Sequence, residues 1–227
     1  MMIKKTALLL PLVLMMFAFQ PVKKKKVIFF GDSITQQGAA PGGYIRLIEG
    51  LSKTDGVSDQ FEFVGKGIGG NKVYDLFLRF QPDVLDQKPD IVLVYVGIND
   101  VWHKTSSGTG TDFDKFGKFY DAIISTLVKQ GIQPVVCTPS VIGERNDCSN
   151  QQDGDLNRYA GWIREYAAKN KVPLVDLRKI FLDYLAKNNP DNKEKGILTV
   201  DRVHLNEKGN QLVADAMWKV IKSLGGM

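Results

Sequence analysis

The chain has 227 residues, 44% of them hydrophobic and 24% charged, with no linker or low-complexity stretch, which supports one globular domain. Lys and Arg number 30 against 25 Asp and Glu, but Lys4, Lys5 and Lys23 to Lys26 account for six, so the remaining 24 against 25 are near neutral. That balance excludes a basic nucleic-acid surface. The two cysteines, Cys137 and Cys148, lack neighbours of zinc-site spacing, so no catalytic metal is indicated.

In chain order, Lys4 and Lys5 precede an apolar run from Ala7 to Phe19. The run suits a signal h-region and falls short of the ~20 residues of a membrane-spanning helix. Residues 1–20 therefore read as an export signal, and the mature chain is expected to be secreted or periplasmic without stable membrane insertion. An uncleaved anchor is the alternative; no cysteine is there to carry a lipid. Lys23 to Lys26 read as a solvated lead-in to a first strand at 27–30. Strands follow near 61–64, 91–96, 132–138 and 173–176. Helices are expected near 42–53, 72–86, 113–130, 153–170 and 206–224, with a short one over 177–188. The strands are rich in Val, Ile, Phe and Leu without polar alternation, the pattern of a parallel sheet covered by helices on both faces. One three-layer α/β/α sandwich over 27–224 is predicted, with a five-stranded parallel sheet.

Such a sheet gathers functional groups at the carboxyl ends of its strands. Gly31-Asp32-Ser33-Ile34-Thr35 directly follows Val27-Ile28-Phe29-Phe30, so Ser33 is expected at a strand-to-helix turn. There, free N–H groups and the positive end of a helix lie beside its hydroxyl. Asp201 stands three residues before His204. One turn can bring the pair together, so that the carboxylate orients the imidazole while the other ring nitrogen takes a serine proton. Asn99, in Gly97-Ile98-Asn99-Asp100, is expected to project from the end of the strand at 91–96, where its amide can donate to an oxyanion. Gly70 follows the strand at 61–64, and a residue without a side chain lets a backbone N–H approach the same oxygen. Singly these are ordinary features: a helix N-cap, a surface ion pair, a turn, a loop glycine. The chain has two histidines, so candidates for a base are few. His103, beside Trp102, reads as a surface loop residue or as pocket lining.

Taken together, in this order and spacing, the four blocks resemble those of the GDSL or SGNH hydrolase family of serine esterases, over about Val27 to Leu224. The resemblance implies the flavodoxin-like SGNH hydrolase fold, with strand order 2-1-3-4-5. It implies Ser33 as nucleophile, His204 as base and Asp201 as its partner. The N–H groups of Ser33 and Gly70 and the Asn99 amide would form the oxyanion hole, and no cofactor is needed. The second block departs from the family pattern, which often carries Asn before the first glycine. This chain reads Gly65-Lys66-Gly67-Ile68-Gly69-Gly70 there, leaving Gly67 and Gly69 as alternatives to Gly70. The same stretch fits the dinucleotide fingerprint G-x-G-x-x-G. Against nucleotide binding, it follows the second strand, and Asp90, at the spacing of a ribose-binding acid, precedes a strand instead of ending one.

The expected activity is hydrolysis of short-acyl esters, acetyl foremost, on a small molecule or a carbohydrate. A lysophospholipase or small-ester lipase is the alternative within the family. A non-catalytic carbohydrate-binding domain on the same fold is the alternative outside it. The sequence leaves open whether Cys137 and Cys148 form a disulfide across the rim of the sheet.

Overall fold

The computed structural model of the chain describes residues 23–225; the expected export signal over 1–20 lies outside the described residues. Strands β1 (Lys25–Gly31), β2 (Phe61–Gly67), β3 (Ile91–Tyr95), β4 (Gln133–Cys137) and β5 (Leu174–Val175) form one sheet. All pairings are parallel, in the order β2-β1-β3-β4-β5, as the resemblance implied. β1 pairs on both sides, and Val27, Ile28, Phe29 and Phe30 are at most 1% exposed. Burial on both faces explains the unbroken apolar run, each such side chain contributing on the order of 1.5–3 kcal/mol. Because β2 lies on one side of β1 and β3 on the other, the strand order reverses at β1. A crevice therefore opens at the carboxyl ends of β1 and β3.

The helices are α1 (Ser33–Gly38), α2 (Tyr44–Thr54), α3 (Val73–Leu78), α4 (Phe80–Asp83), α5 (Ile98–Ser106), α6 (Phe113–Lys129), α7 (Asp153–Asn170), α8 (Leu177–Asn188) and α9 (Glu207–Leu224). α2 packs with α9, and α3 with α6, closing the two faces of the sheet.

The molecule departs from the sequence expectation in three places. Lys25 and Lys26 belong to β1, so only Lys23 and Lys24 form an exposed lead-in. The Lys26 N–H donates to Asp90 Oδ2 at 2.7 Å, while the Lys25 ammonium reaches the Leu224 and Gly225 carbonyls at 3.3 Å. The helix expected over 72–86 is broken into α3, α4 and a 3-10 turn at Leu85–Gln87. Pro82 has no N–H for the Leu78 carbonyl, and its ring crowds that position. Residues 98–106, read as turn and loop, form α5, whose Ile98 and Val101 are buried at helical spacing. Cys137 is buried in β4 and Cys148 is exposed; both are free thiols.

Candidate active site

β1 ends at Gly31 and α1 begins at Ser33, so the serine does follow the strand directly. A Cβ on Gly31 would lie 2.4 Å from the Tyr95 carbonyl oxygen and 2.3 Å from Thr35 Oγ1, so only glycine permits this turn. The Asp32 carboxylate caps α1 by accepting the Ile34 N–H at 3.0 Å. Ser33, as the first helical residue, has an N–H with no partner inside the helix.

His204 lies in the segment before α9 and bridges the two other polar residues. Its Nε2 is 2.9 Å from Ser33 Oγ, and its Nδ1 is 2.7 Å from Asp201 Oδ2. Asp201 Oδ1 meanwhile accepts the N–H groups of Val203 at 3.1 Å and His204 at 2.8 Å. One carboxylate oxygen thus shapes the turn and the other holds the ring. Partial burial opposes ionisation of Asp201, but the His204 ring and the two backbone N–H groups outweigh it and hold its carboxyl below the usual range. Between them, Arg202 has φ +91°, a conformation costing a residue with a side chain on the order of 1–3 kcal/mol.

The three candidate glycines at the end of β2 and just beyond it differ in what their N–H groups meet. Gly67 is in the β1–β2 ladder opposite Gly31, and the Gly69 N–H donates to Gln36 Oε1 at 2.9 Å. No acceptor among the described residues takes the Gly70 N–H. Gly70 has φ +77°, which a glycine adopts without strain. A Cβ on Gly69 would be 3.9 Å from Ser33 Cβ, so this loop lies against the serine. With Gly65 and Gly67 inside β2, the stretch is not a phosphate-binding loop.

Asn99 projects from the first turn of α5 instead of from the strand end, and it is 2% exposed. One hydrogen of its amide goes to the Asn71 carbonyl at 3.0 Å, tying it to the residue after Gly70. A primary amide carries two donors, so one remains. The adjacent Asp100 is fully buried and accepts the Val73 N–H at 3.1 Å, joining α5 to the start of α3. Burial pushes Asp100 up to about 6. Burial likewise pushes Asp32 up to about 7, against the opposing pull of the Ile34 N–H.

His103 lies by the glycine loop, with its Cε1 3.9 Å from where a Gly70 Cβ would stand, and is not paired with Asp201. Burial and the Lys72 ammonium hold it below the usual histidine range. Sequence reasoning missed Gln36, which anchors Gly69, and Arg79, whose Nη2 donates to the Gly31 carbonyl at 2.7 Å and the Lys66 carbonyl at 3.1 Å. Arg79 also stacks over Phe30 at 4.5 Å, so it clamps the ends of β1 and β2. Nothing in local spacing marks either residue. Trp102 stands edge-on to His204 with ring centroids 6.4 Å apart.

A shallow cleft of about 630 Å³ is lined by Gln37, Pro41, Leu47, Val200, Asn206 and Gln211 among others. Gln37 is one helical turn beyond Ser33, and Val200 and Asn206 flank the Asp201–His204 segment. Among the described residues, no group of three or more His, Cys, Asp or Glu gathers as a metal site. No described helix is long and apolar enough to cross a membrane.

Residues 29–212 match the model of the GDSL-like Lipase/Acylhydrolase family. The acetylxylan esterase of Geobacillus stearothermophilus is 30% identical over 216 residues, which cover 87% of this chain and 94% of that protein. The crystal structure of an acetyl xylan esterase, AlAXEase, is 60% identical with TM-score 0.85, covering 86% of this chain and 99% of its own. That of Axe2, an acetylxylan esterase from Geobacillus stearothermophilus, is 25% identical with TM-score 0.77, covering 89% and 96%. The chain belongs to the GDSL-like lipase/acylhydrolase family and is a carboxylic ester hydrolase.

Proposed function

We propose that the chain is an exported serine esterase that removes acetyl groups from carbohydrates, with Ser33, His204 and Asp201 as its catalytic triad. The observation that carries this reading is His204, in hydrogen-bond contact with Ser33 Oγ at 2.9 Å and Asp201 at 2.7 Å. Ser33 Oγ attacks the ester carbonyl as His204 Nε2 takes its proton, and Asp201 stabilises the resulting imidazolium. The oxyanion accepts hydrogen bonds from the Ser33 and Gly70 N–H groups and the Asn99 amide, each donor contributing about 10²–10³ in rate. His204 then gives its proton to the departing sugar oxygen. Water, deprotonated by His204, attacks the acetyl carbonyl, and His204 returns that proton to Ser33 Oγ as the acyl–oxygen bond breaks and the acetyl group leaves as acetic acid, which ionises to acetate.

For the substrate, support comes from the 60% identity to an acetyl xylan esterase. The open cleft with Gln37, Asn206 and Gln211 among its lining, one helical turn along the chain from Ser33 and two residues from His204, suits a hydroxyl-rich ligand. The charged and apolar leader from Lys4 to Phe19 supports export to the periplasm or medium, which cell fractionation checks.

The test is a series of p-nitrophenyl esters of increasing acyl length run beside acetylated xylooligosaccharides. Acetate release from the sugars, with turnover falling beyond short acyl chains, is the expected result. Preference for long chains would instead make the protein a lipase or lysophospholipase. Saturable sugar binding without acetate release would leave only a carbohydrate-binding domain.

A further inference from the structure

Glu144 carries a carboxylate that the reaction above does not use, and it is 0% exposed. It lies in the loop after β4, and all its acceptors point at the segment that ends in His204. Oε2 accepts the Ile197 N–H at 2.7 Å. Oε1 accepts the Leu198 N–H at 2.8 Å, the Thr199 N–H at 2.5 Å and the Thr199 hydroxyl at 2.7 Å. Three converging backbone donors and a hydroxyl in a dry site call for a group that only accepts, with two oxygens, and a carboxylate is that group.

The grip extends to the neighbours of Asp201. The Thr199 hydroxyl, while donating to Glu144, accepts the Arg202 N–H at 3.2 Å. The Gly143 N–H, one residue before Glu144, donates to the Arg202 carbonyl at 2.8 Å. Both peptide groups of Arg202 are therefore held from the Glu144 side, and Arg202 is the residue at φ +91°. The Val200 N–H further donates to the His204 carbonyl at 2.8 Å. Conformations of this kind persist only where their surroundings over-determine them.

We propose that Glu144 is a positioning residue for ester hydrolysis, its buried carboxylate keeping the Asp201–His204 turn in the shape that sets Asp201 on His204 and His204 on Ser33. The proposal rests on the triad reading above. Glu144→Gln keeps the size of the side chain but turns an NH2 toward backbone N–H groups on one side, so buried donors lose their acceptor. Thr199→Val keeps the branched shape and removes only the hydroxyl that relays Glu144 to Arg202.

The experiment uses the full chain with either substitution. It compares kcat and KM per folded molecule, with folding followed by circular dichroism. It also follows the downfield proton resonance of His204 Nδ1–H held by Asp201, assigned by its absence in Asp201→Asn. In Glu144→Gln the expected result is a kcat lower by about 10²-fold at nearly constant KM, since small misplacements of reacting groups cost that much. The resonance should broaden or vanish. Thr199→Val should change both in the same direction by a smaller factor, and it alone decides the matter if Glu144→Gln does not fold. A lower melting temperature with kcat and the resonance unchanged would make Glu144 a merely structural residue and overturn the proposal. The resonance does not depend on Ser33 being the nucleophile. Turnover surviving in Ser33→Ala would break the triad reading, and the resonance would still judge Glu144.

Discussion

Ser33 and His204 are 2.9 Å apart in space and 171 positions apart in the chain, and different forces bring them there. Ser33 follows a strand paired on both sides and buried on both faces, so apolar packing sets its position. His204 lies near the end of a segment from Asn189 to Asn206 that holds no helix and, apart from the Thr199–Leu205 bridge, no strand pairing. Polar groups hold that segment instead. Asn189 is 1% exposed and donates to the Glu144 and Lys193 carbonyls, while Glu144 and Asp201 collect backbone N–H groups. Apolar packing spreads placement over many contacts. A polar scaffold concentrates it in a few acceptors, so single substitutions there should reach the chemistry with less effect on the core.

The largest effect should come where the two regions meet. Ser33→Ala, His204→Ala and the double mutant should each lower kcat by about 10⁶, without additivity, because the members of a triad act as one unit. Losses that multiply would show that the two ends act independently. Full turnover in Ser33→Ala would remove the site altogether.

Asp201→Asn tests the polar side alone. It should slow the reaction by about 10⁴ with the fold kept, since an amide cannot stabilise the imidazolium. A pH–rate profile adds a control: kcat/KM should show the acid limb of a general base, and His103→Gln should leave that limb in place. If the limb vanishes with His103→Gln, the base has been assigned to the wrong histidine.

On the sheet side, Asn99→Ala should lower kcat by about 10²–10³ with KM little changed, as expected for a donor to charge that appears only in the transition state. An unchanged kcat would reduce Asn99 to its bond with Asn71, the tie between α5 and the glycine loop.

The smallest effect concerns stability on the apolar side. Burial raises Asp32 to about 7 and Asp100 to about 6, from a usual 3.8. Between these values the folded chain binds more protons than the unfolded one, so stability should fall as pH rises from about 4 to 7. Asp32→Asn keeps an acceptor for the Ile34 N–H but cannot ionise. Urea midpoints measured across that range should therefore fall less steeply in the variant, most clearly above pH 6, where Asp100 no longer contributes. A slope equal to that of the wild type would mean that Asp32 is charged throughout.

Hydrophobic runs and turn chemistry are local, and they were enough to read the five parallel strands, most of the long helices and the position of Ser33. The Asp201–His204 pair was equally legible, because residues three apart can meet within one turn whatever surrounds them. Other features depended on partners far along the chain. That the Gly69 N–H is taken and the Gly70 N–H is not depends on where Gln36 points, 33 residues from Gly69. The Asn99 contact depends on Asn71, 28 residues away, and on a helix whose short apolar pattern was hidden by its turn-like start. Glu144 gave no signal at all, since an isolated glutamate between Gly143 and Arg145 reads as surface. Its burial follows from the convergence of four donors 53 to 55 residues later, an arrangement that exists only once the sheet has brought the loop after β4 against the segment before α9.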